Sequence, residues 1–209
     1  MAAQLNERDT KLVQWLLEAH AKEAELETSL EAHIGLTEKM SYKKRLRSHL
    51  TETRDHGRRL ERRIKQLGGS PPTSGLRPTA VVEAAGKTLA AVKGQVGAVR
   101  AALTDQAETH LRNAQEELRE EHVEIALYTR IEAFADAVGD TETVKLAASI
   151  RRDEERMAKF LEAEVPKLVR DLVRAEVPAS QRRTSTARRR PTARRAGAST
   201  SRSRARTAA

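Results

Sequence analysis

Apolar residues recur at three- and four-residue spacing along most of the chain, which is the pattern of amphipathic helices. Glycines, prolines and capping residues divide this pattern into segments. Four long helices are predicted: Asn6 or Asp9 to about Ile34, about Ser41 to Leu67, about Asp105 to Val138, and Thr141 or Glu142 to about Arg174, with a kink at Pro166.

The connections between these helices predict how they pair. Gly35-Leu36-Thr37 and Gly139-Asp140 are short turns, so the helices on either side of each turn are antiparallel neighbours. The two hairpins are joined by a long segment, in which residues 79–103 predict a helix rich in Ala and Gly. We therefore expect an all-α, four-helix bundle of two antiparallel hairpins with a long, partly helical crossover.

Acidic residues occupy core positions in three of the predicted helices. Glu23 lies in the apolar seam of the first helix, Glu121 and Glu124 in that of the third, and Glu154 in that of the fourth. A charge that faces a core costs several kcal/mol unless it is paired or bound to a metal. These four carboxylates therefore need partners.

The second helix offers both carboxylate and imidazole groups near its seam. His49, Glu52 and His56 follow three- and four-residue spacing, and Glu52 could share a metal with His56 or with Asp55.

The spacing of the acids places them at one depth. Glu23 and Glu52 are 29 residues apart across the first turn, and Glu124 and Glu154 are 30 apart across the second. At 1.5 Å per residue, all four fall within roughly 5 Å of the same level. We expect them to converge at mid-bundle. The alternative is that the central acids form a wide polar face and pair with nearby arginines such as Arg54, Arg119 and Arg151.

Composition narrows the remaining choices. Of 209 residues, 38% are hydrophobic and 2% aromatic, which fits a single helical domain. The absence of cysteine excludes disulfides, thiol catalysis and thiolate metal sites. The chain starts without a basic and then apolar leader, and no window approaches 18 apolar residues, so we expect a cytoplasmic protein.

Three stretches carry a resemblance to a known family: His49-Leu50-Thr51-Glu52-Thr53, Glu120-Glu121-His122-Val123-Glu124-Ile125-Ala126-Leu127-Tyr128, and Asp153-Glu154. Here the chain resembles the ferritin-like superfamily and, more narrowly, the YciE/YciF-type bacterial stress proteins, over about residues 7–175. The resemblance implies a di-iron or related carboxylate-bridged site, with iron as the first choice of metal and manganese as the second. It implies Glu23, Glu52, Glu124 and Glu154 as ligands, and Glu121 as an added or alternative ligand. The sequence departs from the superfamily's two Glu-x-x-His elements, because Asp55 and Met157 stand where the histidines are expected.

The C-terminal residues 179–209 differ from the bundle of residues 1–178 in composition. Residues 181–209 contain ten arginines and no acid, whereas the rest of the chain has 29 basic and 30 acidic residues. We expect a disordered tail that binds nucleic acid through its phosphates; a solubility role or another polyanion is the alternative. The tail arginines are Arg182, Arg183, Arg188, Arg189, Arg190, Arg194, Arg195, Arg202, Arg204 and Arg206.

Together these features predict a metal-binding protein of oxidative or general stress defence, with ferroxidase or peroxide-consuming activity as the candidate chemistry and the nucleoid as a candidate location. The competing hypothesis is a non-enzymatic helical module that compacts DNA and whose core acids are structural. The Ala-rich and amphipathic helix surfaces are compatible with a homodimer.

Overall fold

The computed structural model describes residues 5–71 and 95–182, with the backbone alone for residues 95–104. Four long helices and one short 3-10 helix make up this part of the chain, and it contains no strand. The prediction of an all-α, four-helix fold is confirmed. The helices are α1 (Glu7–Leu36), α2 (Met40–Gln66), α3 (Gln95–Ala137) and α4 (Thr141–Glu176), and the 3-10 helix is Ala179–Gln181.

Polar side chains fix the starts of two helices. The Asn6 side chain accepts a hydrogen bond from the backbone N–H of Asp9 at 2.8 Å, so Asn6 caps α1. The Asp140 carboxylate accepts one from the backbone N–H of Thr143 at 3.1 Å and caps α4. The turn before α4 contains Gly139 with φ of +73°, a left-handed conformation that favours glycine.

One predicted boundary differs from the structure by more than two residues. Helix α3 begins at Gln95, ten residues before the predicted start at Asp105. No proline or glycine interrupts Ala98–Asp105, so good helix formers carry the helix across the predicted break. The rest of the predicted small-residue helix, residues 79–94, lies outside the described residues. Helix α4 continues through Pro166 to Glu176, with Leu161 and Leu168 buried on either side.

The helices pair as two hairpins, α1 with α2 and α3 with α4, and α1 also packs on α3 and α2 on α4. The end of α1 and the start of α2 lie beside the first turns of α3, where the backbone N–H of Glu38 donates to His110. The other end of α2 lies beside the start of α4, where Arg63 donates to Asp140. Helices α2 and α3 therefore run in the same direction.

Each helix crosses two separate apolar clusters with a polar layer between them. One cluster includes Leu16, Leu60, Tyr128 and Ile150. The other includes Leu26, Leu46, Ala114, Met157 and Leu161. The buried residues between the two clusters are Glu23, His49, Thr53, His56, Glu121, Glu124 and Glu154. The fold therefore concentrates ionisable side chains in the middle of the bundle.

Among the described residues, no helix has the length and apolar character of a membrane span. The short helix Ala179–Gln181 belongs to a unit separate from the bundle. Residues 183–209, and with them the predicted disorder of the tail, lie outside the described residues.

Candidate metal centre

The first group of potential ligands joins three helices. Glu23 of α1, His56 of α2 and Glu154 of α4 each direct one ligand atom to a common point, with these atoms within 4.8 Å of one another. The Nδ1 atom of His56 lies 3.0 Å from Oε1 of Glu154 and 3.4 Å from Oε1 of Glu23. All three residues are buried.

The second group shares Glu154 with the first. His49, Glu121 and Glu154 again bring one ligand atom each within 4.8 Å of the others. The Nε2 atom of His49 lies 2.9 Å from Oε1 of Glu121 and 3.6 Å from Oε2 of Glu154. The two oxygens of Glu154 therefore face different histidines, which is the arrangement of a carboxylate that bridges two cations.

Glu124 lies on the same face of α3 as Glu121 and is fully buried. Neither of its carboxylate oxygens has a hydrogen-bond partner among the described residues. Burial, followed by the charges of Glu23, Glu154 and Glu121, raises the pKa of Glu124 well above its usual range. This carboxylate lies close to Glu23, Glu121 and Glu154, although it belongs to neither group of potential ligands.

In each histidine, the ring nitrogen that points away from the centre contacts a further carboxylate. The Nδ1 atom of His49 is 3.2 Å from Oε2 of Glu52, and the Nε2 atom of His56 is 3.1 Å from Oδ2 of Asp153. A carboxylate accepts a hydrogen bond from the ring N–H that it contacts, which leaves the opposite nitrogen free to bind a metal. In His49 the nitrogen free to bind a metal is therefore Nε2, and in His56 it is Nδ1.

The ionisable side chains of this centre have pKa values shifted from their ordinary values. Burial disfavours the charged imidazole of His49, but hydrogen bonds to Glu121 and Glu52 outweigh it and raise the pKa to about 10. Burial likewise opposes the charge on His56, and its contacts with Glu154 and Glu23 raise the pKa to about 11. Burial raises the pKa of Glu121 to about 8. The surrounding carboxylates thus favour the protonated, positively charged form of both imidazoles.

The structure brings together five of the six residues predicted as ligands: Glu23, His56, Glu121, Glu124 and Glu154. Glu52 lies outside both groups, with 29% of its side chain exposed. The hydrogen bond to His49, and then the one from Arg45, lower the pKa of Glu52 to about 2 although burial opposes them.

His49 was not among the predicted ligands. The sequence signal for it is its position seven residues before His56, which is two turns of helix and therefore the same face. Of the ten tail arginines, Arg182 alone is described, and the other nine lie outside the described residues.

The arginines that could have paired with the central acids contact other carboxylates instead. Arg54 pairs with Glu27 and Glu31, and Arg151 with Glu132 and Glu155. Arg119 pairs with Glu120. Within the described residues, Glu23, Glu121, Glu124 and Glu154 face histidines and one another, whereas Glu52 pairs with Arg45.

One tyrosine forms a hydrogen bond with a carboxylate of this centre. The hydroxyl of Tyr128 on α3 donates a hydrogen bond to Oε1 of Glu23, and its ring belongs to the apolar cluster around Leu16. The contact fixes the orientation of the Glu23 carboxylate.

Comparison with known proteins agrees with this architecture. Residues 7–174 match the family described as "Domain of unknown function (DUF892)". The chain belongs to this family. No curated protein matches the chain significantly.

Solved structures of other proteins share the DUF892 chain's fold. A protein from Xanthomonas campestris pv. campestris is 24% identical, with a TM-score of 0.63 over 82% of this chain and 99% of that one. The Escherichia coli stress protein YciF is 14% identical, with a TM-score of 0.54 over 79% and 99%. A ferritin-like, diiron-carboxylate protein from Bacillus anthracis is 19% identical, with a TM-score of 0.53 over 77% and 99%. The ferritin-like, YciF-type fold inferred from the sequence is confirmed.

Proposed function

We propose that this protein binds two divalent metal ions at the centre of the bundle, iron in preference to manganese, and acts in oxidative or general stress defence. The observation that carries the proposal is the position of Glu154, whose two oxygens each belong to a separate group of potential ligands. One ion would bind Glu23, His56 and Glu154, and the other would bind His49, Glu121 and Glu154. Glu124 is available to either ion.

The charge and chemistry of the donors fit such a pair. Four buried glutamates carry up to four negative charges, which two divalent cations balance when both histidines are neutral. Both oxygens of Glu124 lack a hydrogen-bond partner among the described residues, and the nearest cations of Glu121 and Glu154 are the two histidine rings. Leaving a buried carboxylate without a partner costs several kcal/mol. Carboxylate oxygens with a minority of imidazole nitrogens suit iron and manganese.

The protein's own residues prepare the site for redox chemistry. Bound iron would supply the electrons that reduce oxygen or peroxide. Glu52 and Asp153 hold the two imidazole rings, Tyr128 holds Glu23, and the apolar clusters above and below keep bulk water away. Glu154, with one oxygen in each group of potential ligands, would supply negative charge to both ions.

Anaerobic loading with Fe(II), followed by oxygen, tests this proposal. We expect two irons at the centre to oxidise rapidly and to give the near-ultraviolet absorption of oxo-bridged Fe(III). Changing Glu23 and Glu154 together to Gln should remove both the bound iron and the absorption. The matched control changes Glu25 and Glu162, exposed residues of the same two helices, to Gln. Unaltered iron content in the Glu23/Glu154 variant would contradict the proposal.

The stress role is supported by likeness in fold to YciF, which is described as a stress protein. Iron held at the bundle centre and oxidised there would be removed from the reactions that generate hydroxyl radicals. The cytoplasm, close to the nucleoid, is the location that suits this task, and a homodimer is the assembly that we expect.

The arginine-rich tail supports an association with nucleic acid as part of the proposed function. Ten arginines without an acid in residues 181–209 release counterions when they meet a phosphate backbone. Replacing the nine arginines after Arg182 with Gln in the full chain should weaken DNA binding and flatten its dependence on salt, as measured by fluorescence anisotropy. The control keeps the arginines and replaces the tail threonines with Ala. Unchanged binding by the Gln variant would place the DNA-binding surface on the bundle.

A further inference from the structure

A further buried carboxylate lies one helical turn from the metal centre. Glu117 precedes Glu121 by four residues on α3 and is 1% exposed. One of its oxygens contacts Nδ1 of His33, near the end of α1. The other, Oε2, has no hydrogen-bond partner among the described residues. A fully buried carboxylate oxygen in this state attracts a cation.

Neighbouring carboxylates contact lysine side chains, whereas Glu117 contacts none among the described residues. The Glu164 carboxylate lies 2.8 Å from Nζ of Lys39 and 2.8 Å from Nζ of Lys167. Glu120 lies 2.5 Å from Nζ of Lys22. In residues 5–71 and 105–182, Glu117 contacts His33 and no lysine or arginine.

Two more polar groups close to Glu117 are buried without partners. Asn113 is four residues before Glu117 on the same face of α3 and is 7% exposed, and its Nδ2 atom has no hydrogen-bond partner in the described residues. Because the two ends of an amide are interchangeable by rotation, Asn113 can present its oxygen instead. The buried hydroxyl of Tyr42 is also unpartnered, and after burial the charge of Glu117 is the next cause that raises its pKa.

We propose that His33, Asn113 and Glu117 form a third divalent-cation site, separate from the two positions at the centre. Its donors are one imidazole nitrogen, one amide oxygen and one carboxylate, a set that suits manganese or ferrous iron. The site is within reach of solvent because the second nitrogen of His33 lies 3.9 Å from Glu116, whose side chain is 50% exposed.

Counting bound Mn(II) tests the site. In a titration of the full-length protein, electron paramagnetic resonance measures the free Mn(II) that remains. Glu117→Gln should bind one ion fewer per chain than the unmodified protein. Glu116→Gln, which changes the exposed neighbour of Glu117, should bind the same number as the unmodified protein.

The same titration separates this site from the proposed function. With Glu23 and Glu154 changed to Gln, one ion per chain should remain, and adding Glu117→Gln should remove it. If the unmodified protein binds a single ion that Glu117→Gln abolishes, the third site is right and the dinuclear centre is wrong.

Equal Mn(II) binding by Glu117→Gln and the unmodified protein would overturn the third site. Circular dichroism shows whether Glu117→Gln folds. Should it not fold, Asn113→Ala replaces it, and the affinity for one ion should then fall by about tenfold or more. An unchanged affinity in Asn113→Ala would also overturn the site.

Discussion

Each central histidine lies between carboxylates that have different tasks. For His49, Glu121 and Glu154 lie on the side of the centre, whereas Glu52 contacts the opposite ring nitrogen. A residue that only orients a ligand changes the affinity for a metal, and a ligand changes the number of ions bound.

Glu52→Gln should therefore weaken metal binding about 10- to 100-fold while keeping the number of ions at the centre. Glu121→Gln should remove one ion. Metal-competition titrations against a chromogenic chelator measure both quantities. Asp55→Asn is the matched control, because Asp55 lies on the same helix, is about half exposed and pairs with Arg58. Loss of an ion in Glu52→Gln would make Glu52 a ligand.

Asp140 stabilises the bundle through a charge that depends on pH. Burial alone would raise its pKa, but hydrogen bonds from Arg63 and Thr143 outweigh burial and hold the pKa below 3.8. The folded state therefore binds this proton less readily than the unfolded chain. The stabilisation is present above about pH 4 and is lost as the pH falls through the folded-state pKa.

Asp140→Asn keeps a side chain that can cap α4 and loses the ion pair with Arg63. At pH 7 we expect the free energy of unfolding to fall by about 1–2 kcal/mol, measured by urea denaturation. The difference from the unmodified protein should shrink as the pH falls below about 4 and through the folded-state pKa of Asp140. A difference that grows with acidity would contradict this account.

At the scale of whole helices, two glycines have opposite surroundings. A Cβ atom added at Gly69, just after α2, would lie 2.6 Å from Val13 and 2.9 Å from Ile64. Gly57, inside α2, has open space at the same position. Gly69 permits a close approach between chain segments. Gly57 lowers the helix propensity of α2, and no neighbouring atom would clash with a side chain there.

Gly69→Ala should lower the midpoint of thermal unfolding, because Val13 or the backbone has to move. Gly57→Ala should raise the free energy of unfolding by about 0.5–1 kcal/mol through better helix propensity. Thermal and urea unfolding of the two metal-free variants measure both effects. A gain in stability from Gly69→Ala would show that the contact with Val13 relaxes freely.

Helix periodicity was sufficient to predict the hairpins and the depth of the acids, and it was insufficient for the rotation of α2. His49, Glu52 and His56 lie on neighbouring strips of that helix. Their spacing in the sequence does not decide which two of the three side chains face the core. Burial of Tyr42, Leu46 and Leu60 in the assembled bundle fixes the rotation and turns both histidines toward the centre. That packing involves three other helices, so a local pattern cannot specify it.

At the scale of the whole molecule, the buried polar layer between the two apolar clusters lowers the stability of the metal-free protein. We propose that the same layer binds the metal ions. Glu124 is fully buried and has no partner for either oxygen among the described residues. Burying a carboxyl group without hydrogen-bond partners costs free energy, and an apolar residue of similar size removes that cost.

Glu124→Leu should therefore raise the free energy of unfolding of the metal-free protein by about 1–2 kcal/mol and should lower the affinity for metal. Urea denaturation in the presence of a chelator and metal titration measure the two effects. Leu118→Ala serves as a control for volume changes in α3, and it should destabilise the protein without affecting the number of ions bound. A metal-free Glu124→Leu protein that is less stable would assign this carboxylate a structural role.

The central claim is that two ions share Glu154, and anomalous diffraction tests it most directly. Crystals of the full chain loaded anaerobically with Fe(II) would be measured at the iron absorption edge. The account predicts two anomalous peaks, one among Glu23, His56 and Glu154 and one among His49, Glu121 and Glu154. No peak in either group, or iron at other positions alone, would contradict it.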